Sequence, residues 1–588
     1  MDQISGLTEA ILHDILARLS DRDSASTSVL SKAWRETWST FPILSICSDQ
    51  PFRSQDVTLN NYIKLDKVID YVGRRGVWLY ACQNLIKLLT PRLFHGRKAL
   101  RDLGIAIKEF KLIMDYVDHK YMAHRVDLWM KMAIESGGEV LHLQLGLPGG
   151  FVLGDSVDRF YELPLSIIES KSLTKLVLMG RIRFEQAFLT HSIKLYSLRI
   201  ITLYRLLFAH EGIIDHLIFH CPLIEDLTVI DCAFSSVESL FLHGLHKLKK
   251  VNVKGMQEVY IDAPNLESLD YCIHPYASFK LNLDNCTNLR WLRLWNLKSI
   301  DIGDKWFLEL FSKLPFLESL KLGNCYMSER INISSAQLKV LKLSHCSNLQ
   351  ELNIDARNLL SFAYEGNHPP GLSFQKSSNQ LEVNSFSIVD FPNLCSLRKF
   401  VQNINPQRIL ALISLFICRS LLSKPEQGAF QVSSISPTIK RLEIQFSPKD
   451  EALYFPFMNY LLSNCCPNFI SVSFCSHVHS KAFIEFLCEM LMGSEEECHC
   501  SSSNSKCWWH ALKSVKVLFT FKIDENADFD TMLDALPTCY AHERVAGDSH
   551  GLSVVYVADF LLDFRDILVT EKMDQISGLP KIILHDIL

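Results

Sequence analysis

The chain has 588 residues, 48% hydrophobic and 21% charged, enough apolar material for about four domains of roughly 150 residues, so a mainly disordered chain is excluded. Against 65 acidic residues stand 60 basic ones, a net charge of −5, so there is no overall positive field to hold a nucleic acid or an anionic membrane. Cysteine, 18 residues, is far below the density of a disulfide-stapled secreted scaffold and points to a reducing compartment.

The opening MDQISGLTEA carries Asp2 and Glu9 and no basic region ahead of an apolar run, so it does not read as a signal peptide. The most apolar stretch, Ile409 to Cys418, is interrupted by Ser414 and is too short for a bilayer, which takes roughly 18 residues or more. A soluble protein of the nucleus, the cytoplasm or both is expected. From Leu7 to Phe41, Leu12, Ile15, Leu16 and Leu19 stand at helical spacing, a polar Ser/Asp turn comes next, then Val29 and Leu30, then Trp34 and Trp38 one turn apart. This predicts a helical module over 1–46. A core that small is at the lower limit of independent stability, so a partner covering Leu7, Ile11, Leu12, Ile15, Val29, Leu30 and Trp34 would stabilise it. The alternative is a plain helical cap on a repeat array. Residues 47–137 read as a helix-rich, poorly periodic connection.

From about residue 138 to 445 an LxxLxLxxC pattern recurs. It is clean at Leu317, Leu320, Leu322 and Cys325, and again at Leu338, Leu341, Leu343 and Cys346; Leu289, Leu292, Leu294 and Leu297 keep the spacing with Leu in place of Cys. Weaker copies begin at Leu173, Leu198, Ile224, Leu248, Leu266 and Leu359. The LxL core alternates with period two, so each copy predicts a short strand whose leucines enter a core shared with its neighbours. The fold class expected is α/β: a short helical module, then a solenoid of parallel strands with a helical or irregular convex side. Cys325 and Cys346 come just after their strands and are expected to turn inward as packing residues.

Residues between the leucines face outward. At the copy starting with Leu289 these are Trp291, Arg293 and Trp295, and Trp and Arg are the types most enriched at binding hot spots. The same outward lane is expected to continue as Asp270 before and Lys321 after, with Asp226 and Lys250 further back. The alternative is that the tryptophans pack under a loop or against an aromatic neighbour.

Residues 446–537 carry less regular copies near Leu512 to Val517. They also hold Cys498, His499, Cys500, Cys507 and His510, a group able in type to ligate zinc (Cys498, Cys500, Cys507 and His510) but with the spacing of no common structural site; the alternative is a Ser-rich loop with incidental cysteines. No cofactor is therefore expected. Residues 538–572 read as a join or a disordered stretch, because 573–588, MDQISGLPKIILHDIL, repeats residues 1–16 at 13 of 16 positions as the start of a second, truncated copy of the first module. Catalytic signatures are absent from the sequence. No two cysteines stand three apart, as a zinc-binding ligase needs, and His210, Glu211 and His216 miss the spacing of a zinc protease.

The order ISxLxxxILHxIL followed by TSVLSKxWRxxW resembles the F-box of plant proteins, and the repeats resemble those of the plant F-box/LRR class with a C-terminal FBD-like segment beginning near Trp508. Where that family usually has Leu-Pro, this chain has Leu7 and Thr8, and Thr8 is suited to cap the first helix. The resemblance implies a non-catalytic substrate receptor of an SCF-type ubiquitin ligase. Its F-box would dock a Skp-family adaptor, and through it a cullin, by the seven apolar residues named above. Its repeats would hold a protein substrate at Asp270, Trp291, Arg293, Trp295 and Lys321. A repeat-based ligand receptor or scaffold without a ligase role is the competing reading.

Overall fold

The structure, a computed structural model, describes residues 7–47 and 107–386 with short breaks, and four strands between 438 and 561 with a few positions among them. The terminal copy at 573–588, the cysteine–histidine group at 498–510 and most of the expected join lie outside the described residues. Two compact units divide the chain, Met1–Leu289 and Arg290–Leu588.

The first unit opens with helices α1 (Glu9–Arg18), α2 (Asp21–Thr27) and α3 (Lys32–Thr40). Ser31 caps α3, its hydroxyl accepting from the Trp34 amide at 3.2 Å. Thr8 does hold the N-cap position of α1, but its side chain makes no capping bond, so it lacks the stabilisation a bonded N-cap supplies.

A ladder of parallel strands comes next: β1 (Ile43–Cys47), β2 (Glu109–Met114), β3 (Val140–Leu145), β4 (Lys175–Gly180), β5 (Ile200–Tyr204), β6 (Asp226–Ile230), β7 (Lys250–Lys254) and β8 (Ser268–Cys272), each hydrogen-bonded to the next. Helix α4 (His119–Glu135) connects β2 to β3, and α5 (Gly212–Phe219) lies between β5 and β6. The ladder thus begins at Ile43, well before residue 138. The segment expected as helical connection contributes a strand whose Phe110, Leu112 and Met114 are buried by alternation. Those residues have the period of a strand but stand outside the LxxLxL frame, which is why the repeat pattern does not reach them.

In the second unit β9 (Trp291–Trp295), β10 (Ser319–Gly323), β11 (Val340–Ser344), β12 (Ser361–Glu365) and β13 (Glu382–Phe386) form the same kind of ladder, with α6 (Asp304–Lys313) between β9 and β10. The last part of the expected array does not continue it. Thr438–Phe446 (β14) belongs instead to a separate parallel sheet with β15 (Cys466–Phe474), β16 (Ser514–Lys522) and β17 (Ser553–Leu561). Strands nine residues long pair there with one another, and the five-residue frame of the ladder is gone.

Register within each ladder is set by the leucines. Leu292, Leu320, Leu341 and Phe362 are lateral neighbours, as are Leu294, Leu322, Leu343 and Tyr364, and all eight are at most 2% exposed. A slip by one residue would turn the whole set to solvent. Second-row strands close the core from behind: Ser239–Leu242, Glu258–Ile261 and Lys280–Asn282 in the first unit, Arg330–Ser334, Glu351–Asp355 and Gly371–Lys376 in the second.

The bend after each front strand repeats as well. Arg205, Asp231, Asn296, Asn324 and His345, each the first residue after its strand, all have φ between 48° and 68°. Asn, Asp and His are the non-glycine residues most at ease in that region. At the equivalent corner Gly180 has φ +91°, and a Cβ there would stand 2.2 Å from the Leu145 carbonyl oxygen, so no side chain fits.

Candidate functional site

Two surfaces hold the residues singled out from the sequence. In the helical module Leu12, Leu16 and Trp34 form the core, and Ile15, Trp38 and Phe41 pack against it. His13 Nε2 lies 3.3 Å from the Thr37 carbonyl oxygen, tying α1 to α3. Leu12 and Trp34 are therefore inside the module, not on its surface. Helix α1 carries two apolar stripes, Ile11 with Ile15 and Leu12 with Leu16, and α3 one, Trp34 with Trp38; spacing alone does not say which stripe meets the neighbouring helix and which a partner. Leu7, Ile11, Val29 and Leu30 are exposed. Val29 and Leu30 form the turn after α2, their amides donating to the carbonyls of Ser26 and Thr27, and they keep 76% and 67% of their surface in solvent. Apolar side chains held that far out by a backbone turn suit a partner's surface.

The second surface is the outer face of the repeat strands. In β9 the residues alternate as read: Leu292 and Leu294 are buried, while Trp291 and Arg293 are exposed. Trp291 keeps 45% of its surface. Trp295 is half-buried because its lateral neighbour is Gly323, where an added Cβ would stand 2.1 Å from the indole Cε3. The Arg293 guanidinium lies 5.3 Å from the centre of the Trp295 ring, a cation–π distance. Arg293, Lys321 and Lys342 are successive lateral neighbours, so the lane does run from Arg293 to Lys321, as expected.

Asp270 occupies a row of the first unit with Thr228 and Asn252, whereas Asp226 and Lys250 are partners of one another two residues earlier along their strands. Asp226 and Lys250 thus do not share the lane of Asp270. Each opening leucine or isoleucine stands two residues before its strand, so Asp226 and Lys250 hold the first outward position of their strands and Asp270 the second: the expected lane merged two rows.

Charge along the edges of the ladders was not read from the sequence. Just before the strands, Glu225 is bridged by Arg199 at 2.8 Å and Lys249 at 2.9 Å, and Glu318 by Arg290 at 3.1 Å and Lys339 at 2.9 Å. Hydrogen bonds from Lys249 and then Arg199 hold the Glu225 carboxyl below its ordinary range; Lys339 is the largest cause of the same lowering at Glu318. The available signal was a charge of alternating sign directly after the opening residue of successive copies, from Arg199 through Glu225, Lys249, Glu267, Arg290 and Glu318 to Lys339. At the other edge Asp231 takes Lys254 at 3.0 Å and Arg205 at 3.7 Å. On the outer face Glu365 takes Lys342 at 3.1 Å, and His345 lies 3.4 Å away.

Cys325 and Cys346 are buried with their Sγ atoms 3.2 Å apart. The hydrogen bond between them, with burial, pushes the Cys346 thiol far up. Both are packing residues by their burial, and Cys346, held as the thiol, is no nucleophile. Among the described residues no group of three or more His, Cys, Asp or Glu side chains is placed to hold a metal, and no helix is long and apolar enough to cross a membrane.

Comparison with known proteins gives two family matches. Residues 4–46 match the F-box domain, and residues 101–288 and 278–414, together more than half of the chain, match the At1g61320/AtMIF1 LRR domain. Among curated relatives from Arabidopsis thaliana, the chain is 24% identical over 440 residues to the FBD-associated F-box protein At5g22720, covering 72% of this chain and 79% of that one. It is 25% identical over 362 residues to F-box/LRR-repeat protein 13, covering 59% and 68%. It is also 27% identical over 296 residues to F-box/LRR-repeat protein At4g14096, covering 48% and 53%.

Proposed function

Because the chain belongs to the At1g61320/AtMIF1 leucine-rich-repeat domain family and carries an F-box domain ahead of those repeats, we propose that it is the substrate-recognition subunit of an SCF-type ubiquitin ligase. The F-box docks a Skp-family adaptor and through it a cullin; the repeats hold a protein for ubiquitination. The observation that carries this reading is the order along the chain, a helical module with exposed apolar residues leading directly into a ladder of strands with exposed aromatic and cationic residues. In that scheme no group of this chain has to form or break a bond. Holding the target near a loaded transfer enzyme raises its effective concentration, and chemistry done by another subunit gains rate from it.

On the adaptor side Leu7, Ile11, Val29 and Leu30 supply the contact, each worth about 1.5–3 kcal/mol if fully covered, and Leu12, Ile15 and Trp34 set that surface from beneath. On the substrate side the contact is made by Trp291, Arg293, Trp295 and Lys321, with Asp270 on the first unit as a separate element. The test is capture of a recombinant Skp-family adaptor by the full chain. Val29→Asp with Leu30→Asp should reduce capture to background at an unchanged melting temperature. Trp34→Ala should lower the melting temperature as well, since truncating a buried Trp costs about 3–5 kcal/mol. Undiminished capture by the double variant would place docking elsewhere; no capture by the unaltered chain would overturn the receptor reading.

A further inference from the structure

Where charges meet between neighbouring repeats at the strand edges, opposite signs are paired: Glu225 stands between Arg199 and Lys249, Glu318 between Arg290 and Lys339, and Asp231 beside Lys254. One row breaks that rule. On the outer face of β9, β10 and β11 the lateral neighbours are Arg293, Lys321 and Lys342. Like charges side by side on a sheet are destabilising. The fold makes up only part of this: Arg293 lies over Trp295 and Lys342 pairs with Glu365. Lys321, the middle member, is exposed and makes no ion pair among the described residues. Of the outward positions on β9 to β12, three are cationic and one, Glu365, is acidic. The local balance therefore opposes the chain's net charge of −5.

We propose that this row, with Trp291 beside it, binds an extended acidic peptide segment of the captured protein. Neighbouring strands lie about 4.8 Å apart, so the three cations span roughly 9.6 Å; alternate side chains of an extended peptide are roughly 6.5–7 Å apart. Two acidic residues flanking one position thus straddle Lys321 and reach toward Arg293 and Lys342. Trp291 shares the face of Arg293 by alternation and is exposed, which suits an apolar side chain at one end of the segment. A long polyanion is a poorer match, because the cationic run stops at Ala363, the next lateral neighbour, and the chain as a whole carries net negative charge. The row gives the receptor reading a substrate class and rests on that reading for its biological meaning.

The experiment is titration of the purified full chain, without adaptor, against a fluorescein-labelled peptide of about twelve residues with alternating glutamate and leucine, followed by anisotropy. The glutamate peptide should bind at least tenfold tighter than its glutamine analogue, and raising salt should weaken it. Lys321→Glu should weaken it at least tenfold and Trp291→Ala several-fold, while Lys313→Glu, on α6, should leave it unchanged. Lys321→Gln should also raise the melting temperature of the unliganded chain by relieving the repulsion, a direction that a merely structural lysine would not produce. Equal binding of the glutamine analogue, unchanged affinity in Lys321→Glu, or a lower melting temperature in Lys321→Gln would each overturn the proposal. Tighter binding of a single-stranded oligonucleotide of the same length would overturn the peptide assignment. Adaptor capture scored on the same preparation keeps the two readings apart: a chain that binds the acidic peptide and no adaptor upholds the face and sinks the ligase role.

Discussion

His142 is an imidazole that the fold holds neutral. It stands in β3 with Lys111 as its lateral neighbour on β2, and its Nε2 is buried without a hydrogen-bond partner. Burial first, then the charges of Lys111 and Lys175, push its pKa down from an ordinary 6.5 to about 4. Between those two values the unfolded chain takes up a proton that the folded chain refuses, so the stability is present above pH 6.5 and is lost as the pH falls toward 4. The melting temperature of the full chain should therefore decline over that window, and His142→Leu should decline less, as scanning calorimetry at stepped pH would show. An identical decline would mean that carboxylates such as Glu225 and Glu318, held by their cations, dominate the acid limb. At this scale outward Trp291 and Arg293 were legible, because alternation between buried leucines leaves a strand residue no other direction. The inward turn of Leu12 and Trp34 was not, since the spacing of a stripe does not say what covers it and only the packing of α1 on α3 decides.

The strand is the unit on which most of the architecture could be read. LxL at an interval of 18 to 28 residues fixes both the element and its inward face, which is why β4 to β12 fall where the leucines put them. What escaped were elements outside that frame: β1 and β2, the second-row strands, and the corner residues whose positive φ goes with lateral hydrogen bonding, as when the Asn324 amide donates to the Ser344 carbonyl at 2.8 Å. These depend on a neighbour in the next repeat, and no local pattern encodes it. Neighbour dependence also sets the expected response to damage. Leu320 is fully buried between Leu292 and Leu341, so Leu320→Ala should cost about 2–5 kcal/mol. Because a repeat is stable only against its neighbours, amide exchange should speed up in β9 and β11 as well as in β10. Faster exchange confined to β10 would show that the strands open independently.

At the scale of the whole molecule, the lateral register has a consequence for how such a chain can change its length. The leucines that open successive copies, Leu317, Leu338 and Leu359, stand 21 residues apart, and the strands behind them align without offset. Excising residues 338–358 would bring the strand of Leu320 beside that of Phe362 with every buried position still facing inward. Losing a single residue from β11 would turn part of that strand inside out. The shorter edit is the more harmful one, and expression of the two deletions side by side should show the block deletion folded and the point deletion aggregated. The heritable letter of this protein is thus the block. Copy number can drift by recombination between like segments, and each gain or loss adds or removes one outward pair, here Val340 and Lys342, so that a receptor surface can be lengthened, shortened or recharged in a single genetic event while the core reads the same.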